Sequence, residues 1–194
     1  VVAIDRAAKR VRFRTADGTE GEEPYDALVL SPGAAPLRPP LPGIDDPRVM
    51  VLRNLADVDR IKAAVDGGVR RAVVVGAGFI GLELVENLVH RGVATTLVEL
   101  QDQVLPPFDR ELTTPLVAAV RAAGVEVLLG ESAEAFESGG DGLTVRLKSG
   151  RKLPADVVVL GIGVRPENAL AVAAGLEVGP RGGIRVDAAM RTSD

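Results

Sequence analysis

One stretch of the chain limits its possible folds more than any other. Residues 71–100, RAVVVGAGFIGLELVENLVHRGVATTLVEL, read as a strand, a glycine-rich turn, a helix, a further glycine and a second strand. About thirty residues is the length of a crossover between two parallel strands. The sequence therefore predicts an α/β protein built on a parallel sheet.

The glycines of this unit predict a nucleotide site. Gly76, Gly78 and Gly81 fit the pattern G-x-G-x-x-G between the strand and the helix. The first glycine permits a tight turn, the second lets the backbone approach a pyrophosphate, and the third lets helix and strand pack closely. Glu99 ends the next strand, where its carboxylate would accept hydrogen bonds from a ribose diol and repel a 2′-phosphate. No arginine follows in the next three positions, so the sequence predicts a preference for NADH over NADPH.

Two side chains near the loop are candidates for contacts with the nucleotide. Phe79 lies within the loop, where a ring stacked over a ligand is a better explanation than core packing. Glu83 is expected in the first turn of the helix. An acid there is favoured by the helix dipole in any case, and it could also face a bound nicotinamide. The spacing leaves both explanations open.

The rest of the chain reads as further α/β structure. Short strands are predicted in VVAID and KRVRFRT, followed by a turn at Asp17-Gly18, and residues 26–33 (DALVLSPG) read as a buried strand. Six of the thirteen prolines lie between residues 32 and 47 and exclude a helix, so we expect a domain boundary there. Helices are predicted at 55–66, 108–124 and 167–174, and strands in VEVLLG and ADVVVLGIG. Short antiparallel strands are expected around the turn GGDG at 139–142.

An internal repeat is the second organising feature. Residues 1–33 resemble residues 131–163 in order and spacing: short β segments, an acid, an apolar run and a glycine turn. We interpret this as two copies of one nucleotide-binding unit, of which the first begins within its domain. The alternative is a chance likeness between two hairpin-plus-strand segments.

Composition excludes several classes of function. The net charge of −4 with scattered arginines gives no basis for binding nucleic acid. The chain has no cysteine, which excludes disulfides and thiolate metal sites within it, and its single histidine, His90, cannot build a metal cluster. No apolar run reaches membrane-spanning length and no signal peptide is recognisable, so we expect a soluble, cytoplasmic protein.

Three ordered motifs resemble those of the FAD-dependent pyridine nucleotide–disulfide oxidoreductases. They are VVVGAGFIGLELVENL with Glu99, YDALVLSPGAAPLRPPLPGID, and ADVVVLGIGVRPEN. Within that family, HRGVATTLVELQDQVLPPFDREL and VVAIDRAAKRV look most like the CoA-disulfide and CoA-persulfide reductases, close to NADH oxidases. The resemblance implies a Rossmann-like NAD(P)-binding domain at 48–163, with a parallel sheet and an antiparallel meander. Partial FAD-binding segments would flank it at 1–47 and 164–194.

The resemblance also implies site residues and partners. The NAD site would comprise Gly76, Gly78, Phe79, Ile80, Gly81, Glu83, Glu99, Gly161, Ile162 and Gly163. The FAD contacts would be Val2, Ser31, Pro32 and Gly33, with Ser-Pro-Gly where the family usually has Ala-Thr-Gly. The first FAD loop, the redox cysteine and the dimerisation domain of a homodimeric enzyme would lie outside this chain. The chain alone would then bind NADH, retain little FAD and be inactive.

Other functions stay open at this stage. A ferredoxin- or rubredoxin-type reductase shares both nucleotide domains but lacks the redox cysteine. A non-catalytic NAD-sensing module is a candidate from another class. A plain Rossmann dehydrogenase would need a catalytic base, and the single tyrosine, Tyr25, and single histidine offer no suitable one.

Overall fold

The computed structural model describes residues 1–139 and 142–194, so the middle of the expected GGDG turn (Gly140 and Asp141) lies outside the described residues. The chain forms two compact units. The larger comprises Pro36–Gly163, and the smaller comprises Val1–Ala35 together with Val164–Asp194. Among the described residues, none of the helices combines the length and the apolar composition needed to cross a membrane.

A five-stranded parallel sheet forms the centre of the larger unit. Its strands are β5 (Val49–Val51), β6 (Arg71–Val75), β7 (Ala94–Glu99), β8 (Glu126–Leu129) and β12 (Val157–Leu160). Their order across the sheet is β5-β12-β6-β7-β8, and each neighbouring pair is parallel. The apolar runs of β6 and β12 are buried, as expected of central parallel strands. The predicted parallel sheet is confirmed.

The two faces of this sheet carry different layers. The helices α1 (Leu55–Asp66), α2 (Phe79–His90) and α3 (Arg110–Ala122) contribute to the core on one face, which includes Val74. The antiparallel sheet β11-β10-β9 packs on the other face, where Val73 and Val75 belong to a second core. Its strands are β9 (Ala133–Gly139), β10 (Gly142–Leu147) and β11 (Lys152–Ala155). Alternate residues of β6 thus serve opposite faces.

The smaller unit contains a three-stranded antiparallel meander. Its strands are β1 (Ala3–Asp5), β2 (Arg10–Arg14) and β3 (Glu20–Pro24). The acidic third strand, which the sequence suggested only as turn chemistry, pairs with the basic second one, and Arg14 forms an ion pair with Glu20 at 2.5 Å. Two short strands, β4 (Ala34–Pro36) and β13 (Val164–Pro166), pair with each other, and α4 (Ala169–Ala173) follows.

The prediction of a buried strand at residues 26–33 is wrong. Residues 26–33 do not form a strand among the described residues, and Val29 in the middle of the apolar run is 88% exposed. The physical reason is that strand conformation depends on hydrogen-bonded neighbours. The matching run in the second copy, β12, has β5 and β6 on its two sides, whereas no strand in the described part of the chain pairs with residues 28–30.

Candidate functional site

The glycine loop lies where the strand order of the parallel sheet reverses. It follows β6, which has β12 on one side and β7 on the other. Open α/β sheets bind ligands outside the carboxyl ends of their strands at such a point. A Cβ atom on Gly76, whose φ is +104°, would lie 2.4 Å from the carbonyl oxygen of Gly161. A Cβ on Gly81 would lie 1.9 Å from the carbonyl oxygen of Gly76. Packing within the protein therefore requires the first and third glycines.

The second glycine is required by neither backbone nor packing. Gly78 has a φ of −77°, which any residue adopts, and a Cβ atom there would meet nothing within 4 Å. It is the N-cap of α2, and no side chain caps this helix start. The backbone N–H groups of the first turn, which have no acceptor within an α-helix, are therefore available to an anion. The open space at Gly78 is the cradle that a pyrophosphate would need.

Glu99 is tied to the loop. The residue is 8% exposed, and its Oε2 accepts a hydrogen bond of 2.6 Å from the backbone N–H of Ala77. Its Oε1 accepts a second, of 2.8 Å, from the N–H of Gln101. Each carboxylate oxygen keeps a further lone pair. Glu99 can thus hold the loop and accept a ribose hydroxyl at the same time; the first of these roles was not foreseen from the sequence.

Three side chains of α2, those of Phe79, Ile80 and Glu83, share one exposed face of the helix. Phe79 begins the helix and is 64% exposed, and Ile80 is 42% exposed. Glu83 is also exposed, and it is the fifth residue of the helix, so its expected place in the first turn is wrong. Because the helix-dipole effect fades beyond the first turn, it does not account for an acid at this position. All three line a cleft of about 500 Å³ between α1 and α2.

The turn after β12 closes on the glycine loop. The N–H of Gly161 donates to the carbonyl of Val75 at 2.7 Å, which joins the ends of the two central strands. Gly163 has a φ of +105° and accepts a 2.9 Å hydrogen bond from the N–H of Leu37. Ile162 between them packs against the second core. The structure therefore brings Gly76, Gly81 and Gly161 together, although 80 positions separate the last two.

The residues expected to contact FAD do not form one pocket in the smaller unit. Ser31 and Pro32 line a small apolar cavity of about 180 Å³, below the usual range of small-molecule sites. The N–H of Val2 donates to the carbonyl of Arg12, and the carbonyl of Gly33 (φ +76°) accepts from Glu167. Their assignment to FAD stays a prediction.

The contact of the segment after β7 with the glycine loop was not predicted from the sequence. The N–H of Leu105 donates to the carbonyl of Ala77 at 2.9 Å, which ties this segment directly to the glycine loop. The ring of Phe108 meets the ring of Phe79 edge to face, with centroids 6.0 Å apart. The adjacent prolines at 106 and 107, directly after a strand, were the available signal for an ordered loop.

The acid that precedes the apolar run of the second copy, Asp156, has a structural role. Asp156 accepts hydrogen bonds from the backbone N–H groups of Arg70 and Arg71 at 2.9 Å, and from the Arg71 guanidinium at 2.7 Å. The Arg71 side chain is the main cause of a lowered pKa at Asp156. Asp156 precedes β12, so it lies at the opposite end of the sheet from the glycine loop and joins the starts of the two central strands.

A five-stranded parallel sheet with a glycine loop at the point where its strand order reverses is typical of a Rossmann-like dinucleotide-binding domain. Comparison with known families then identifies the group. The family model described as pyridine nucleotide-disulphide oxidoreductase matches residues 1–194, so the chain belongs to this family. Its members are FAD-dependent NAD(P)H oxidoreductases.

Individual relatives agree with this assignment. The chain is similar to the reduced CoADR-RHD of Bacillus anthracis, with 43% identity, a TM-score of 0.95, and coverage of 100% of this chain and 35% of that one. It is similar to the NAD-dependent persulfide reductase of A. fulgidus, with 38% identity, a TM-score of 0.92, and coverage of 99% and 35%. A probable ferredoxin reductase of Castellaniella defragrans is 40% identical over 199 residues, which is 100% of this chain and 46% of the relative. The chain thus spans less than half the length of each.

Proposed function

We propose that this chain binds NADH and presents its nicotinamide to a flavin, as the pyridine-nucleotide part of a flavoprotein oxidoreductase. The glycine loop carries the proposal. Packing accounts for Gly76 and Gly81, whereas Gly78 faces open space at an uncapped helix start. A ligand phosphate is the remaining physical reason for a glycine there.

Glu99 supports NADH rather than NADPH. Its carboxylate lies beside the loop and accepts hydrogen bonds from two backbone N–H groups. A ribose diol would donate hydrogen bonds to the free lone pairs, whereas a 2′-phosphate would bring a like charge next to a buried carboxylate. The similarity to an enzyme named as NAD-dependent points the same way.

The chain's part in the reaction is orientation. When FAD is bound, it accepts a hydride from the nicotinamide and passes the two electrons on to an acceptor. We assign Phe79, Ile80 and Glu83 of α2, with Gly161, Ile162 and Gly163 of the neighbouring turn, to positioning the nicotinamide. Val2, Ser31, Pro32 and Gly33 would contact FAD together with regions of a longer chain that this one does not span. Homodimer formation and a cytoplasmic location stay predictions.

The proposed acceptor is a disulfide, a persulfide or an oxygen species, in line with the similarity to a persulfide reductase. A ferredoxin is the second candidate, favoured by the 40% identity to a probable ferredoxin reductase. Because this chain has no cysteine, thiol chemistry would come from elsewhere in the whole enzyme. Alkylating the reduced whole enzyme should abolish turnover with a disulfide acceptor and should spare a ferredoxin reductase.

Calorimetric titration of the 194-residue chain with NADH and NADPH tests the proposal. We expect NADH to bind at least roughly tenfold more tightly, because only the NADPH phosphate meets the Glu99 charge. Glu99→Gln should reduce this preference by removing the charge. Because its amide oxygen can accept only one of the two backbone hydrogen bonds, the readout is the ratio of the NADH and NADPH affinities and not the NADH affinity alone.

Glu86→Gln is the control for removing one negative charge, because Glu86 is exposed on α2 and lies outside the loop. It should keep the wild-type preference. If the wild type bound neither nucleotide, the proposed nucleotide binding would be contradicted. If it bound both with equal affinity, the proposed preference for NADH would be contradicted.

A further inference from the structure

Two of the chain's four phenylalanines meet at the edge of the glycine loop. The rings of Phe79 and Phe108 stand at 74° to each other with their centroids 6.0 Å apart, a favourable edge-to-face arrangement. Both are partly exposed, at 64% and 43%. Rings of this size left so open to water have few other contacts to hold them, so the partner ring has a large share in fixing each one.

The turn that carries Phe108 is itself firmly held. The Phe108 N–H donates to the carbonyl of Leu105 at 2.9 Å, and the Gln103 side-chain amide donates to the carbonyl of Phe108 at 2.8 Å. Val104 is buried, and the Leu105 N–H reaches Ala77 of the glycine loop. The turn is thus anchored to the loop at one end and to Phe79 at the other.

The backbone of this turn also carries strain. Leu105 has a φ of +46°, a left-handed conformation that is unfavourable for a bulky side chain. The hydrogen bond to Ala77 and the packing of Val104 hold it there. A strained and well-anchored turn is a rigid support for the ring that it presents.

The space next to Phe79 is open on the loop side. Gly78 directly precedes Phe79, and a Cβ atom at Gly78 would meet nothing within 4 Å. Phe79 is therefore the next side chain along the chain from this open position, so a change in the orientation of its ring would alter the edge of the loop. The open space is where the nucleotide binds under the proposed function.

We propose that Phe108 is a positioning residue of the nucleotide site: its ring holds Phe79 on the side of the 105–108 turn and keeps the mouth of the glycine loop clear for the nicotinamide end of NADH. The inference rests on the proposed NADH binding. Phe108 itself has no contact with the nucleotide in this arrangement, and its whole effect passes through Phe79.

A double-mutant cycle tests this dependence on Phe79. NADH affinity is measured by calorimetry for the wild type, Phe108→Ala, Phe79→Ala and the double variant. Phe108→Ala should weaken NADH binding roughly fivefold, the scale of one aromatic pair. In the Phe79→Ala background the same change should have an effect of less than about twofold. Phe108→Tyr, which keeps the ring, should behave as the wild type.

ADP-ribose serves as the second ligand because it lacks the nicotinamide. Phe108→Ala should change its affinity less than about twofold, since the phosphate and adenosine contacts are unaffected. Equal losses for both ligands would mean general damage to the segment after Glu99 and would overturn the inference. The inference would also be overturned if Phe108→Ala reduced NADH affinity equally in the wild-type and Phe79→Ala backgrounds, or if it did not reduce NADH affinity at all.

Two measurements keep the outcome unambiguous. Phe108→Leu, which keeps apolar bulk without a ring, should bind NADH as weakly as Phe108→Ala, and far-ultraviolet circular dichroism of each variant checks the fold. In the ligand-free protein labelled with fluorophenylalanine, the Phe79 resonance should shift in Phe108→Leu and stay in Phe108→Tyr; an unchanged resonance in Phe108→Leu would overturn the inference. A wild type that binds neither NADH nor ADP-ribose would overturn the proposed function and this inference together, whereas binding without coupling overturns the inference alone.

Discussion

At the scale of single residues, three glycines in one motif are present for two different reasons. A side chain on Gly81 would collide with the backbone at Gly76, whereas one on Gly78 would collide with nothing in the protein. Packing therefore requires glycine at position 81, whereas at position 78 the proposed function assigns the open space to a ligand phosphate. We therefore expect a glycine-to-alanine substitution to affect mainly stability at Gly81 and mainly NADH affinity at Gly78.

Gly81→Ala should lower the free energy of unfolding by about 3 kcal/mol, because the Cβ atom would lie 1.9 Å from the Gly76 carbonyl oxygen and packed backbone must move. Gly78→Ala should cost less than about 1 kcal/mol of stability yet weaken NADH binding roughly tenfold or more. Urea unfolding and calorimetry measure the two quantities.

Gly183→Ala is the matched control for this pair. A Cβ atom there also meets nothing within 4 Å, and the residue lies in the smaller unit, outside the glycine loop. Its stability and NADH affinity should both stay near the wild-type values. If Gly78→Ala left NADH affinity unchanged, the assignment of Gly78 to the pyrophosphate would be wrong.

At the scale of elements, one carboxylate helps to join the proline-rich segment to the antiparallel sheet, together with the hydrogen bond from the Phe136 N–H to the Pro42 carbonyl. Asp46 accepts hydrogen bonds from Arg48 Nε at 2.9 Å and Nη2 at 2.7 Å, and from the hydroxyl of Ser138 on β9. The Arg48 hydrogen bonds are the main reason that the pKa of Asp46 lies well below its usual range, with a further contribution from Ser138. The segment is thereby joined to the antiparallel sheet.

Asp46→Asn should lower the free energy of unfolding at pH 7 and reduce its acid dependence. The folded-state pKa of Asp46 is depressed, so the carboxylate contributes stability above its unfolded pKa of about 4, and this is lost as the pH falls toward the folded value. The difference between wild type and variant should therefore narrow between about pH 4 and pH 2 in urea unfolding.

The neighbouring Asp45→Asn is the control for this experiment. The Asp45 side chain is 96% exposed, and its contact with Arg38 is 3.8 Å long, so the substitution should change little at any pH. A pH profile of Asp46→Asn parallel to that of the wild type would contradict the role given to Asp46.

At the scale of the whole molecule, the apolar core is unevenly shared. Both core clusters lie entirely within Pro36–Gly163. Among the described residues of the smaller unit, only Ala171 and Leu176 are buried apolar side chains. Burial of apolar surface is the main stabilising term in folding, so the larger unit carries most of what is needed to fold.

A chain truncated to residues 36–163 should therefore unfold cooperatively and bind NADH within about twofold of the affinity of the whole chain. Thermal unfolding followed by circular dichroism tests the first statement and calorimetry the second, with Gly78→Ala in the truncated chain as a control for weakened binding. A truncated chain without a cooperative transition would show that the smaller unit is needed for folding.

The sequence by itself determined the elements whose signals are local. The strand–loop–helix–strand unit, the helix at 55–66 and the buried β12 follow from periodicity, glycines and capping residues close together in the chain. The Asn54–Asp57 capping box, for example, begins the first helix at Leu55, where the sequence predicts its start. The loop glycines belong here too, because their pattern has meaning only in that local context.

Tertiary structure decided the features that depend on distant partners. Residues 26–33 and β12 have similar apolar runs, but only β12 has strands on both sides, and a strand is stabilised by neighbours that its own sequence does not encode. The hydrogen bond from Ala77 to Glu99 and the contact between the rings of Phe79 and Phe108 also depend on the tertiary structure. These contacts join residues more than twenty positions apart, and only the packed fold brings them within reach.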